Sequence, residues 1–109
     1  MENRPSEKEL ITARTMRRCI LLSLYQFFTA YPYASMEMSQ LHETCGASPR
    51  DLNWNIVYLE KSGYVELNRS ADCPPYVSCS ASITGPGVDL VEDQKAFGNL
   101  FPVSGEDKG

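Results

Sequence analysis

The segment between Ser48 and Leu67 constrains the fold most, because both ends of a helix and the start of a strand can be read from it. Ser48 is a strong N-cap, Pro49 suits the first helical position, and Asp51 completes a capping box. Gly63 is a typical helix stop. The apolar stripe predicted for this helix consists of Leu52, Ile56 and Leu59.

Beyond this helix the pattern changes to that of two strands. Tyr64 to Leu67 alternates between apolar and polar residues, and Val77 to Ile83 contains small and β-branched residues. The connection from Asn68 to Tyr76 holds Asp72 and two prolines. The sequence therefore predicts a β-hairpin with a long tip.

A long helix is predicted before this region, from about Glu7 to Tyr31, because no Gly or Pro interrupts its apolar periodicity. Ser6 with Glu9 can cap its start, and Pro32 ends it. A short second helix from Met36 to about Cys45 follows. Its predicted cap is Ser35 and its stop is Gly46.

A further helix start is predicted at Thr84, Gly85 and Pro86, and the last apolar cluster lies near Phe101. The 109 residues, 42% of them hydrophobic, fit one domain over residues 9–102, with flexible tails at 1–8 and 103–109. The N-terminus has no secretory pattern and no stretch is long and apolar enough to span a membrane. We therefore expect a cytoplasmic protein with no membrane partner.

Helix, short helix, capped helix and hairpin follow in the order of a winged helix-turn-helix, which is mainly α with a small antiparallel β-hairpin. Leu59-Glu60-Lys61-Ser62-Gly63-Tyr64-Val65-Glu66 resembles the end of the recognition helix and the start of the wing in MarR, ArsR and PadR-like repressors. Ile83-Thr84-x-x-Gly87-x-x-Leu90 is similar to their return strand and following helix. The resemblance covers roughly residues 16–92.

The tyrosine-rich first helix and the motif Ile-Thr-x-x-Gly-Val-Asp-Leu-Val-Glu also resemble the small uncharacterised winged-helix proteins of Mu-like prophages. This narrower resemblance implies a bacterial or prophage origin and no established biochemical role.

The repressor resemblance implies that the third helix reads double-stranded DNA in the major groove, for transcriptional control, with the hairpin on the flanking backbone. Arg50 and Asn53 suit base edges, and Tyr58 suits a phosphate. The full predicted DNA-binding set is Ser48, Arg50, Asn53, Trp54, Tyr58, Lys61 and Arg69. Arg14, Arg17 and Arg18 are further candidates for the DNA backbone or for acidic residues of a partner.

A second interpretation stays open, in which the third helix contacts a protein. Arg50 and Lys61 are balanced by Asp51 and Glu60, so the helix is neutral, whereas recognition helices of the resembled families are more basic. Trp54 is a residue type that often anchors protein interfaces. The alternative function is therefore a protein-interaction module, or a phage-encoded accessory protein, on the same fold.

The apolar content of the first and last helices predicts a homodimer, as terminal helices are the dimer contacts in the resembled families. The predicted interface comprises Tyr25, Phe28, Tyr31, Phe97, Leu100 and Phe101.

The four cysteines are expected to be reduced thiols in the cytoplasm, although Cys73 and Cys79 could approach one another and form a disulfide in air. Zinc ligation by His42, Cys45, Cys73 and Cys79 is disfavoured, because their spacing lacks the tight Cys-x2-Cys pairs of structural sites. No metal, cofactor or catalytic residue is predicted. With one histidine and no phosphate loop, the sequence does not indicate an enzyme.

Overall fold

The chain is mainly helical with a small antiparallel sheet, which confirms the predicted content of helices and antiparallel strands. The computed structural model describes residues 7–102, with side chains from residue 12 onward. Within that range the elements are α1 (Glu7–Ala30), β1 (Met36–Glu37), α2 (Met38–Cys45), α3 (Pro49–Lys61), β2 (Val65–Asn68), β3 (Ser80–Ile83), α4 (Gly85–Glu92) and α5 (Gln94–Leu100). Residues 1–6, which include the predicted Ser6 cap, and residues 103–109 lie outside the described residues. Residues 7 and 8 of the predicted N-terminal tail belong to α1.

The residues predicted to start and end α3 do so. The Ser48 hydroxyl accepts a hydrogen bond of 3.1 Å from the backbone N–H of Asp51, and Pro49 occupies the first turn. Gly63 follows the helix with φ 89°, a left-handed conformation that glycine adopts without a steric penalty. The predicted stripe of Leu52, Ile56 and Leu59 is fully buried.

We expect Ser48→Ala to lower the free energy of unfolding by about 1 kcal/mol, because the N–H of Asp51 loses its acceptor. Urea denaturation followed by circular dichroism measures this change. Ser39→Ala, at an exposed position in α2, is the control and should change stability by less than about 0.5 kcal/mol. Equal effects of the two substitutions would contradict the cap.

The sheet has the order β1-β3-β2, so β3 is its central strand. Val65 pairs with Ile83 and Asn68 with Ser80 in an antiparallel hairpin. The second strand begins at Ser80 and not at Val77 as predicted, because residues 73–79 form a loop before the ladder begins.

The start of α2 was predicted wrongly. Met36 and Glu37 form a strand that pairs with Ala81 and Ser80, so α2 begins only at Met38. Ser35 is not its cap: Glu37 occupies that position and makes no side-chain cap hydrogen bond. The C-terminal stop is correct, since Gly46 has φ 65°.

Helix α1 is the centre of the fold and packs against α2, α3, α4 and β3. Its buried residues Ile20, Leu21 and Leu24 join the α3 stripe in one core. Thr84 caps α4 as predicted, accepting from the backbone N–H of Gly87 at 3.1 Å. None of the helices within residues 7–102 is both long enough and apolar enough to cross a membrane.

Candidate functional site

The outer side of α3 carries four exposed side chains, here called the α3 face: Arg50, Trp54, Tyr58 and Lys61. Trp54 and Tyr58 are 46% and 43% exposed, which is high for aromatic residues. All four belong to the predicted DNA-binding set. The structure therefore brings two cations and two aromatic rings to one accessible helix surface.

Asn53 does not have the predicted freedom to contact a base. Its side-chain Nδ2 donates to the carbonyl oxygen of Pro75 at 2.9 Å, and its Oδ1 accepts from the backbone N–H of Val77 at 3.0 Å. Pro75 and Val77 belong to residues 73–79, here called the disulfide loop because Cys73 and Cys79 are joined at its ends. Asn53 therefore ties α3 to this loop.

An open groove of about 590 Å³ runs between α3 and the disulfide loop. Its lining residues are Pro49, Arg50, Asn53, Trp54, Val57, Pro75 and Val77. Most of these side chains are apolar. The groove is thus a mostly apolar surface in which Arg50 is the one charged lining residue, and Lys61 lies outside its lining.

Two of the predicted DNA-binding cations lie in surface ion pairs with acidic residues of α3. Arg50 contacts the Asp51 carboxylate at 3.2 Å, and Arg69, beyond the end of β2, contacts Glu60 at 2.7 Å. Exposed pairs of this kind contribute at most about 1 kcal/mol and are screened by salt. Both arginines can therefore exchange their carboxylate for a phosphate at small cost.

Arg17 has a structural role that its place in a basic cluster did not indicate. Its Nε donates to the Oδ1 of Asn55 at 2.8 Å, and its guanidinium lies 4.0 Å from the Tyr58 ring centroid and 5.3 Å from that of Trp54. Burial lowers the pKa of Arg17, while Tyr58 opposes this change. Arg17 therefore orients the aromatic half of the α3 face from α1.

Asn55 completes this network and was missed in the sequence. It is only 1% exposed, and its Nδ2 donates to the backbone carbonyl of Asp51 at 2.8 Å. A polar residue within the α3 stripe was the available signal, because a buried amide requires partners. The amide satisfies Arg17 on one side and the helix backbone on the other.

Arg18 and the C-terminal aromatic residues also pack within the chain. Arg18 donates to the carbonyl oxygen of Phe101 at 2.8 Å and lies over the Phe97 ring at 4.7 Å. Phe97 and Phe101 are buried, so the structure gives them an intramolecular role and not the surface position predicted for a dimer interface.

The other predicted interface residues differ in exposure. Tyr31 and Leu100 are exposed, Phe28 is partly buried, and the Tyr25 hydroxyl donates to the Glu92 carboxylate at 2.7 Å. This hydrogen bond raises the pKa of Tyr25.

The expectation of four reduced thiols is wrong for Cys73 and Cys79, which form a disulfide. Their approach across the hairpin tip was foreseen. Cys19 and Cys45 are free, and the Ser23 hydroxyl lies 3.9 Å and 4.0 Å from their sulfurs. The hydrogen bond with Cys45 lowers the pKa of Cys19 to about 6, and the same interaction raises that of Cys45.

The residues considered for zinc are not gathered in one place. Two of them are bonded to each other, Cys45 adjoins Ser23, and His42 lies against the Tyr76 ring with centroids 6.1 Å apart. In the described part of the chain no three His, Cys, Asp or Glu side chains converge on a point that a metal ion could occupy.

Comparison of the chain with protein-family models, with curated protein sequences and with solved structures gave no match.

Proposed function

We propose that this chain is a winged helix-turn-helix protein that binds double-stranded DNA and regulates transcription, with α3 in the major groove. The order of the elements and the sheet order β1-β3-β2 support this fold, because they place a hairpin directly after an exposed capped helix. The observation that carries the proposal is the α3 face itself. A helix with two exposed cations, next to a hairpin carrying Arg69, has the form of a DNA-binding surface.

The contacts we assign follow from exposure and charge. Arg50 and Lys61 reach phosphates or guanine, and Tyr58 donates to a phosphate. The N-terminus of α3, behind the Ser48 cap, adds a positive dipole end. Arg69 exchanges Glu60 for the flanking backbone. Trp54 supplies apolar contact between the two cations.

Binding of a random-sequence duplex at a series of salt concentrations tests this assignment. We expect the wild-type affinity to fall as salt rises, since phosphate contacts release counterions. Arg50→Ala combined with Lys61→Ala should reduce the slope of log affinity against log salt by about 1.8, or about 0.9 for each lost phosphate contact.

Lys95→Ala is the matched control, because it removes an exposed cation from α5 and should leave the slope unchanged. Wild-type protein that fails to bind the duplex even at low salt would refute DNA binding.

The apolar groove favours a second candidate function, a protein-interaction module on the same fold. Trp54 and Val77 are both exposed there, and the helix has no net charge to attract phosphates. Aromatic residues beside apolar grooves are common anchors of protein interfaces. Absence of DNA binding in the salt series, with the fold intact, would support this candidate.

Self-association is part of the proposal, because the DNA-binding members of the resembled families contact two half-sites as dimers. Of the predicted interface residues, Tyr31 and Leu100 are exposed and Phe28 of α1 is partly buried.

A further inference from the structure

The disulfide loop presents to Asn53 the same pair of groups that an adenine edge presents. An asparagine that reads adenine donates to N7 and accepts from the N6 amino group. Here the carbonyl of Pro75 takes the place of the N7 acceptor, and the N–H of Val77 takes the place of the N6 donor. The loop therefore occupies the base-reading edge of Asn53.

A disulfide between its two end residues restrains the loop in this position. The disulfide between Cys73 and Cys79 closes a short ring, and the backbone N–H of Tyr76 donates to the carbonyl of Cys73 at 2.9 Å within it. The cross-link limits the conformations open to Pro75 and Val77. Reduction of the disulfide would increase the conformational entropy of the free loop, which the two hydrogen bonds to Asn53 would then have to offset.

The disulfide is placed where a reductant can reach it. Both cysteines are partly exposed, and the residues around them, Asp72, Pro74 and Pro75, are exposed. Thiol–disulfide exchange requires such access to one sulfur. The loop also contacts α2. The backbone N–H of Met38 donates to the carbonyl of Cys79 at 2.9 Å, and Tyr76 packs edge-on against His42. Neither contact uses the covalent link.

We propose that Cys73 and Cys79 form a reversible thiol–disulfide site that determines whether the Asn53 amide is bonded to the loop or is free beside the α3 face. This inference rests on the proposed function in one respect, namely that the freed amide reads adenine. The oxidised form keeps the cations of the α3 face but not the base-reading asparagine. The reduced form has both.

The chemistry balances with a small dithiol as reductant. One thiolate of the dithiol attacks a loop sulfur and forms a mixed disulfide, while the other loop sulfur leaves as a thiolate. The second dithiol sulfur then displaces the remaining loop sulfur. The loop disulfide gains two electrons and two protons, and the dithiol is oxidised to a cyclic disulfide.

Amide hydrogen exchange tests the loop step without any DNA. We expect the Val77 N–H to exchange about tenfold faster, or more, after reduction with dithiothreitol, because the ring no longer holds it against Asn53. Cys73→Ser combined with Cys79→Ser should exchange at the fast rate with or without the reductant. Cys19→Ser combined with Cys45→Ser retains the loop disulfide and should respond as wild type does.

Selection from a random-sequence duplex pool tests the readout step. We expect the reduced protein to enrich sequences with a fixed adenine, and Asn53→Ala to lose that preference by roughly tenfold or more. The oxidised protein should lack the preference, with or without Asn53. Circular dichroism confirms that each variant is folded.

Two results would overturn the inference. One is an unchanged Val77 exchange rate on reduction, and the other is an adenine preference that is equal in both redox states. Failure of the proposed function gives a different pattern, since the exchange rate would respond to the reductant while the duplex pool bound in neither state.

Discussion

Leu59→Ala is expected to lower the free energy of unfolding by about 2 to 5 kcal/mol, the largest effect we predict for a single truncation in α3. Leu59 is fully buried, in the core that joins α3 to α1. Removal of its branched side chain forfeits apolar burial and leaves a cavity that the surrounding core can close only in part. Urea denaturation of the variant and the wild type measures the loss, as a lower midpoint concentration with an unchanged m-value.

Lys61→Ala provides the control two residues further along the same helix. Its side chain is exposed, so we expect a change within about 0.5 kcal/mol. A loss of stability for Leu59→Ala well under about 1 kcal/mol would contradict the assignment of this stripe to the core.

Gly87→Ala should destabilise the chain by about 1 to 3 kcal/mol, because α4 approaches Tyr64 and Ile83 at this residue without room for a side chain. A Cβ at Gly87 would collide with the carbonyl oxygen of Tyr64 and lie 2.6 Å from Cγ1 of Ile83. The Tyr64 carbonyl is held in place, since it accepts from the backbone N–H of Thr84 at 3.0 Å. The backbone of α4 must therefore move away from the backbone of Tyr64.

Gly85→Ala is the matched control, because a Cβ there has no atom within 4 Å among the described residues. We expect this variant to be neutral or stabilised by up to about 1 kcal/mol through the smaller entropy of its unfolded state. Thermal melts of the two variants in the same buffer give the comparison. A Gly87→Ala variant as stable as Gly85→Ala would contradict the close approach.

The two proposals assign different work to neighbouring residues of α3. Arg50 and Lys61 supply charge that is accessible in this structure, whereas Asn53 supplies sequence readout only after the loop has moved. The salt series and the exchange experiment therefore answer separate questions. A protein that binds duplex DNA without an adenine preference while oxidised is the combination we expect.

The sequence by itself determined the elements whose ends depend on neighbouring residues. The Ser48 cap, the left-handed Gly46 and Gly63, and the Thr84 cap each act within a few residues, so their signals are complete in the local sequence. The apolar periodicity of α3 likewise identified its buried side. The accessible candidates Arg50, Trp54, Tyr58 and Lys61 followed from that periodicity.

Only the tertiary structure decided the partners of polar groups across long separations. Met36 lies in a strand because it pairs with Ala81 of β3. Arg17 packs within the chain because its guanidinium contacts Asn55 and Tyr58. Asn53 lost its freedom to residues more than twenty positions away. Periodicity shows which side of a helix is outward, but the backbone groups that cover that side are set by how the elements pack.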